Sequence, residues 1–391
     1  MQYQGLTIGI PKEIMKGERR VAAIPETVKK MVNQGAKVLV ETGAGDGSYF
    51  GDQQYREVGA VMVNDVEKIF EAVDIILKVK EPQFNQNKGK HEVDMMKKGQ
   101  FLITFIHPAS PGNHKMVQEL AAKGVIGLTL DGIPRISRAQ SMDALTSMST
   151  VAGYKGVLMA ANRLSKFMPM VGTAVGMIKP ATVLVIGTGV AGLQSVATAK
   201  RMGAVVYAAD IRPDAREQAK SLGAKIVELD IPAEIAIGEG GYAKKLPDEL
   251  LEKERNILME YVTQSDVVIL SALIPGRLAP IILTEEMVEA MPAGSAIVDI
   301  SVDQGGNCSL TEQGQVVEKH QVSIDGTKNI PGMVPTSSTW MFAHNIYNYL
   351  TNLVKDGQID VNLEDEIIAS SLVTRDGKIV HAGALEAMNL V

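Results

Sequence analysis

Cysteine is almost absent from this chain. Cys308 is the single one in 391 residues, which excludes an internal disulfide framework and points to a reducing compartment. The six histidines are scattered along the sequence, and with a lone thiol they make no expected metal-ligand set. An excess of basic charge is missing too. At a net charge of −6 no cationic face is available to neutralise phosphates, so nucleic acid is not an expected partner. The opening MQYQGLTIGIPKE has no basic segment followed by an apolar core, so no signal peptide is expected. One window, residues 180–199, is free of charge over roughly the length of a membrane span. Its glycines, its proline, Gln194 and its hydroxyls argue against a span there, and no other segment offers one.

What is present is ordinary soluble α/β composition, 46% hydrophobic and 21% charged, in a chain long enough for two or three domains. Short apolar strands are expected at 6–10, 38–40, 75–79, 101–105 and 125–130, with helical stretches between them. Val28, Met31 and Val32 show the spacing of one such helix. A second series is expected at 183–186, 205–209, 225–229, 267–270, 296–300 and 322–324. Strand–helix alternation implies parallel sheets covered on both faces. Residues 139–165, without proline, read as a long connecting helix. Residues 339–355 read as the return crossing, and Gly377-Lys378-Ile379-Val380 as a short hairpin. The expected fold is therefore α/β, with two Rossmann-like doubly wound parallel-sheet domains joined by long connecting helices and a cleft between them. Residues 1–136 with 336–391 would form one domain and residues 137–335 the other.

Residues 183–213 carry the sharpest signal. A β-branched run empties into Gly187-Thr188-Gly189-Val190-Ala191-Gly192, a helical stretch follows, and a second strand ends on Asp210. Gly187 permits the tight turn, Gly189 lets backbone approach a pyrophosphate, and Gly192 lets the helix pack close to the strand. The pyrophosphate would sit on the free N–H groups of that helix, which opens at Val190. Asp210 is placed to accept hydrogen bonds from ribose hydroxyls and to repel a 2′-phosphate, which favours NAD over NADP. Arg212 is discordant, because an arginine just past the acid can serve a 2′-phosphate.

Residues 134–146, PRISRAQSMDALT, pack Arg135, Arg138, Gln140 and Asp143 into the entry of the connecting helix. Ser137 or Ser141 as an N-cap would explain one residue. It would not explain two arginines at a helix start, where the dipole disfavours them. A ligand-organising loop explains more.

With PRISRAQSMD, VAGYKG, GTGVAGLQSVATAKRMGA, GEGGYAKK, SALIPGRLAP and GGNC, the chain resembles the NAD(H)-binding component of proton-translocating nicotinamide nucleotide transhydrogenase. The resemblance runs nearly end to end. It implies hydride transfer between NADH bound here and NADP(H) bound on a partner subunit, with membrane-spanning subunits carrying the protons. A chain that ends at Val391 without a span resembles the split form. That implies a cytoplasmic subunit, peripheral on the inner membrane through its partners, and a homodimer. By motif, Arg135, Gln140 and Asp143 would hold the nicotinamide end, with Asp143 gripped by Arg135. Thr146 stands where the family often has a serine, and Tyr242 matches the tip of a mobile loop.

The chain also resembles alanine dehydrogenase, through ERRVA, LKVKEP, FIH, DISVDQGG and NIPGMVP. That likeness implies Arg20 and Lys80 as clamps for a substrate carboxylate, His107 as general acid/base and Asp303 at the amino group. The middle and C-terminal parts look like transhydrogenase, which covers more of the chain. Soluble NAD-dependent alanine dehydrogenase is the alternative.

Overall fold

The computed structural model describes residues 1–238, 243–274 and 278–390, which divide into two compact units. The first comprises Met1–Met148 with Gly332–Val391, and the second Ser149–Pro331.

The first unit is built on an eight-stranded sheet in the order Lys378–Ile379, Leu372–Arg375, Ile126–Thr129, Phe101–Thr104, Ile75–Leu77, Thr7–Ile10, Lys37–Glu41, Val61–Val63. All neighbours from Ile126–Thr129 onward are parallel. Leu372–Arg375 joins antiparallel to Ile126–Thr129 and to Lys378–Ile379, so the sheet is mixed at that edge. Successive side chains of a strand point to opposite faces, and the core divides accordingly. Ile75 and Leu77 enter one buried cluster with Phe342, Ile346 and Tyr349 of the helix Pro335–Leu353. Ile76 enters the other with Leu120 of the helix His114–Lys123.

The second unit holds a seven-stranded sheet in the order Lys225–Ile226, Val205–Ala209, Thr182–Ile186, Val267–Leu270, Ala296–Asp299, Val322–Asp325, Val316–Lys319. It is parallel except for the last strand. Thr182–Ile186 is nearly all apolar and buried, as a central parallel strand covered on both faces must be. Leu184 and Ile186 pack with Leu258 on one face, and Val183 and Val185 with Val196 on the other. Burying each such side chain stabilises the fold by about 1.5–3 kcal/mol.

The connecting helix expected over residues 139–165 is shorter than their proline-free composition suggests. A 3-10 turn spans Ser137–Met142, and the α-helix runs Ala144–Arg163. The break falls at Asp143. Its Oδ1 accepts the Thr146 N–H at 2.8 Å and its Oδ2 the Thr146 hydroxyl at 2.6 Å, the geometry of a side-chain cap. Among the described residues no helix is long and apolar enough to cross a membrane.

Candidate functional site

In the second unit the strand order reverses around Thr182–Ile186, whose neighbours are Val205–Ala209 and Val267–Leu270. In open α/β sheets such a reversal leaves a crevice at the carboxyl ends of the strands. Gly187 turns there at φ +85°, and a Cβ on it would lie 2.6 Å from the Ala272 amide nitrogen. Gly192 is tighter still. A Cβ there would meet the Gly187 carbonyl oxygen at 1.9 Å, so the helix Val190–Arg201 can lie against the strand only without a side chain. Gly189 differs from both. The nearest atom to its Cβ position is Nη2 of Arg212, at 4.0 Å. Backbone is therefore exposed in open space at the N-cap of a twelve-residue helix. A phosphate fits such a place, on free N–H groups and the positive end of the helix.

Asp210 follows the strand Val205–Ala209 and is 6% exposed. Its Oδ1 accepts the Arg212 backbone N–H at 2.8 Å and Arg212 Nε at 3.0 Å. Its Oδ2 accepts the Thr188 N–H at 2.7 Å and Arg212 Nη2 at 2.8 Å. Arg212 thus grips the acid rather than standing beside it. Glu254, on the helix Asp248–Val262, is 4% exposed within electrostatic reach of Asp210. Burial, reinforced by the Asp210 charge and opposed by Arg255, pushes its carboxyl up to about 7.

The loops beyond the neighbouring strands are fastened to this turn. Ser271 donates to the Gly187 carbonyl at 2.7 Å. Asn307 takes the Ala272 N–H at 3.0 Å and donates to the Ala272 and Pro280 carbonyls. The wholly buried Asp299 accepts the Asn307 and Cys308 N–H groups and the Thr311 hydroxyl. A Cβ on Gly306, at φ +87°, would stand 2.7 Å from the Asp299 carboxylate. The GGNC run is therefore a brace for the strand-end loops. Its signal was legible only as a motif, not as this role.

In the first unit, residues 134–146 are tied to the helix Pro335–Leu353 and the segment after it. Arg138 makes a two-pronged pair with Asp365, at 2.7 and 3.1 Å. The Ser141 carbonyl accepts from Asn345 and Asn348. Arg135 and Gln140 are exposed on the loop that these contacts hold, while Asp143 and Thr146 are half-buried in the helix cap.

The second candidate set is distributed differently. Arg20 is 2% exposed and forks onto Glu18, with Nε–Oε1 at 2.8 Å and Nη2–Oε2 at 2.6 Å. Lys80 is half-buried, and beneath it Glu13 accepts the Val79 N–H at 2.6 Å and contacts the buried Lys78, which also pairs with Glu92. Burial pushes Glu13 up to about 7 against the pull of Lys78. His107 sits at φ +49° with its side chain 39% exposed and Nδ1 2.7 Å from Asp131. Burial opposes its charged form, but the Asp131 carboxylate outweighs that and raises its pKa. Sequence reading missed Asp131, which also takes the His107 and Thr129 donors. Asp303 belongs to the second unit, is exposed, and accepts the Asn329 N–H at 3.3 Å. Tyr242 lies outside the described residues.

Two family models match the chain, "Alanine dehydrogenase/PNT, N-terminal domain" over residues 9–152 and "Alanine dehydrogenase/PNT, C-terminal domain" over residues 156–382. The chain is 42% identical to the first portion of the NAD(P) transhydrogenase alpha subunit of Rhodospirillum rubrum, over 96% of this chain and 98% of that one. It is 32% identical to alanine dehydrogenase of Staphylococcus saprophyticus, over 98% and 97%. A solved transhydrogenase structure from Sinorhizobium meliloti superposes with a TM-score of 0.83 at 38% identity, covering 96% of this chain and all of that one.

Proposed function

The chain belongs to the alanine dehydrogenase/PNT family, and from that premise we propose that it is the NAD(H)-binding component of a proton-translocating transhydrogenase. NADP(H) is held on a partner subunit, and membrane-spanning subunits carry the protons. The observation that carries this reading is the phosphate turn, where Gly187 and Gly192 are filled by backbone while Gly189 is left open. Higher identity to transhydrogenase than to alanine dehydrogenase decides between the two branches.

Bound nicotinamide supplies the hydride, and no protein acid or base is needed for a transfer between two nicotinamide rings. The chain's own residues bind, orient and exclude water. Gly189 and the N–H groups from Val190 onward take the pyrophosphate, and Asp210 takes the adenosine ribose. Gln140 hydrogen-bonds the nicotinamide end, on a loop held by Arg138 and Ser141. Asp143 and Thr146 fix where the helix behind that loop begins. Arg135 is the exposed cation of the same loop.

Arg20, Lys80, His107 and Asp303 retain the residue types of an amino-acid site. Against that use stands the buried fork that commits Arg20 to Glu18. The subunit works as a homodimer, docked through its partners on the cytoplasmic face of the membrane. The two-stranded arm Val171–Thr173 and Gly176–Ile178, with Val175 98% and Met177 71% exposed, supplies apolar surface for such contacts. Isolated, the chain should bind NADH and transfer nothing until an NADP(H)-binding subunit is added. Transfer by the isolated chain would contradict the proposal.

A further inference from the structure

We propose that Arg212 sets how strictly this site separates NADH from NADPH, by competing with the ribose for Asp210. The proposal rests on Asp210 being the ribose ligand. A carboxylate offers about four lone-pair sites. In this structure five donors converge on the two oxygens of Asp210: the backbone N–H, Nε and Nη2 of Arg212, and the N–H and hydroxyl of Thr188. A 2′-hydroxyl that donates to Asp210 has to displace one of them. The two N–H groups are fixed by the turn, the Thr188 hydroxyl at 3.3 Å is a marginal contact, and the guanidinium on its flexible stem is the strong donor that can leave.

A 2′-phosphate meets the opposite situation. Bare Asp210 would repel it, but the paired guanidinium cancels that charge and can turn its planar fork onto phosphate oxygens. It is already in position at the ribose acid, with Nη2 2.8 Å from Asp210 Oδ2. Arg216, the next cation along, is occupied with the Asp210 and Ile211 carbonyls and does not share the carboxylate. The same arginine therefore hinders the nucleotide that the acid selects and shelters the one that it rejects. Removing it should sharpen the choice.

Equilibrium calorimetry of NADH and NADPH binding to the full chain tests this, with the ratio of the two affinities as the readout. In Arg212→Gln the NADH-to-NADPH ratio should rise about tenfold or more, the effect of exposing one unit charge to a phosphate a few ångströms away. Arg212→Lys, which keeps the charge but not the fork, should fall between wild type and Arg212→Gln, and it serves equally if the glutamine variant folds poorly. A ratio that stays at the wild-type value or drops in both variants overturns the proposal, including the case in which both affinities fall alike. Asp210→Asn separates this from failure of the underlying reading. If that variant leaves the ratio untouched, Asp210 is not the ribose ligand. If it lowers the ratio while the arginine variants leave it unchanged, Asp210 stands and only Arg212 is misassigned.

Discussion

Gly192 rides so close to Gly187 that a methyl group on the helix would lie 1.9 Å from the carbonyl oxygen of the turn. Three residues earlier, a methyl on Gly189 would meet nothing but the end of Arg212 at 4.0 Å. The same substitution should therefore do different things at the two positions. Gly192→Ala must push helix from strand and is expected to destabilise the second unit by about 1–3 kcal/mol, as overpacking does. Gly189→Ala should melt like wild type while losing most of its NADH affinity, because the methyl occupies the space meant for phosphate. Thermal melts paired with NADH titrations check both. Equal melting temperatures for the two variants would break the argument.

The loop carrying Gln140 should separate binding from transfer. Gln140→Asn keeps the amide but withdraws it by one methylene, so hydride transfer from saturating NADH should slow far more than NADH binding weakens. Asp143→Ala removes the cap of the helix Ala144–Arg163 and should lower stability by about 1 kcal/mol. Single-turnover rates and urea denaturation read the two effects. Normal transfer in Gln140→Asn with damaged binding would remove its orienting role.

Glu254 predicts a pH dependence of stability. Its carboxyl titrates at about 7 when folded, against 4.5 in the unfolded chain, chiefly because it is buried. The folded state thus keeps a proton that the unfolded chain has released, and stability falls as pH rises through that window and levels off above it. Glu254→Gln removes the titration. Its stability relative to wild type should improve between pH 5 and pH 8 by about 2 kcal/mol, the part of that pKa difference that falls within this span. Urea midpoints at the two pH values check this, and an identical pH trend in both proteins would contradict it.

Much of the second unit was legible because its signals are local. The β-branched run, the glycine spacing and the terminal acid lie within one βα unit and one further strand; Gly187 and Gly192 have a steric reason in the turn, and Asp210 accepts N–H groups there. Other features were not, since their partners are distant in sequence. The second arginine of PRISRAQ reads as part of a ligand loop until Arg138 is seen on Asp365, 227 residues away. The strand Leu372–Arg375 depends on pairing with Ile126–Thr129, which no local pattern encodes. Arg20 failed to be legible for another reason. Its partner Glu18 is only two residues off, but burial of the pair is a tertiary property. Composition without proline also overran the helix start, as it cannot register a side-chain cap at Asp143.

The central claim is that hydride leaves NADH on this chain for NADP⁺ on another. The most direct measurement mixes the purified chain with the NADP(H)-binding subunit of the same system, without membrane, and follows NADP⁺ reduction by rapid absorbance. Each component alone should give no transfer, the mixture should transfer quickly, and Gly189→Ala should abolish it. L-Alanine and NAD⁺ given to the isolated chain should yield no NADH. If the mixture transfers nothing and the isolated chain oxidises alanine at an ordinary enzymatic rate, the account is wrong, and Arg20, Lys80, His107 and Asp303 are the working site.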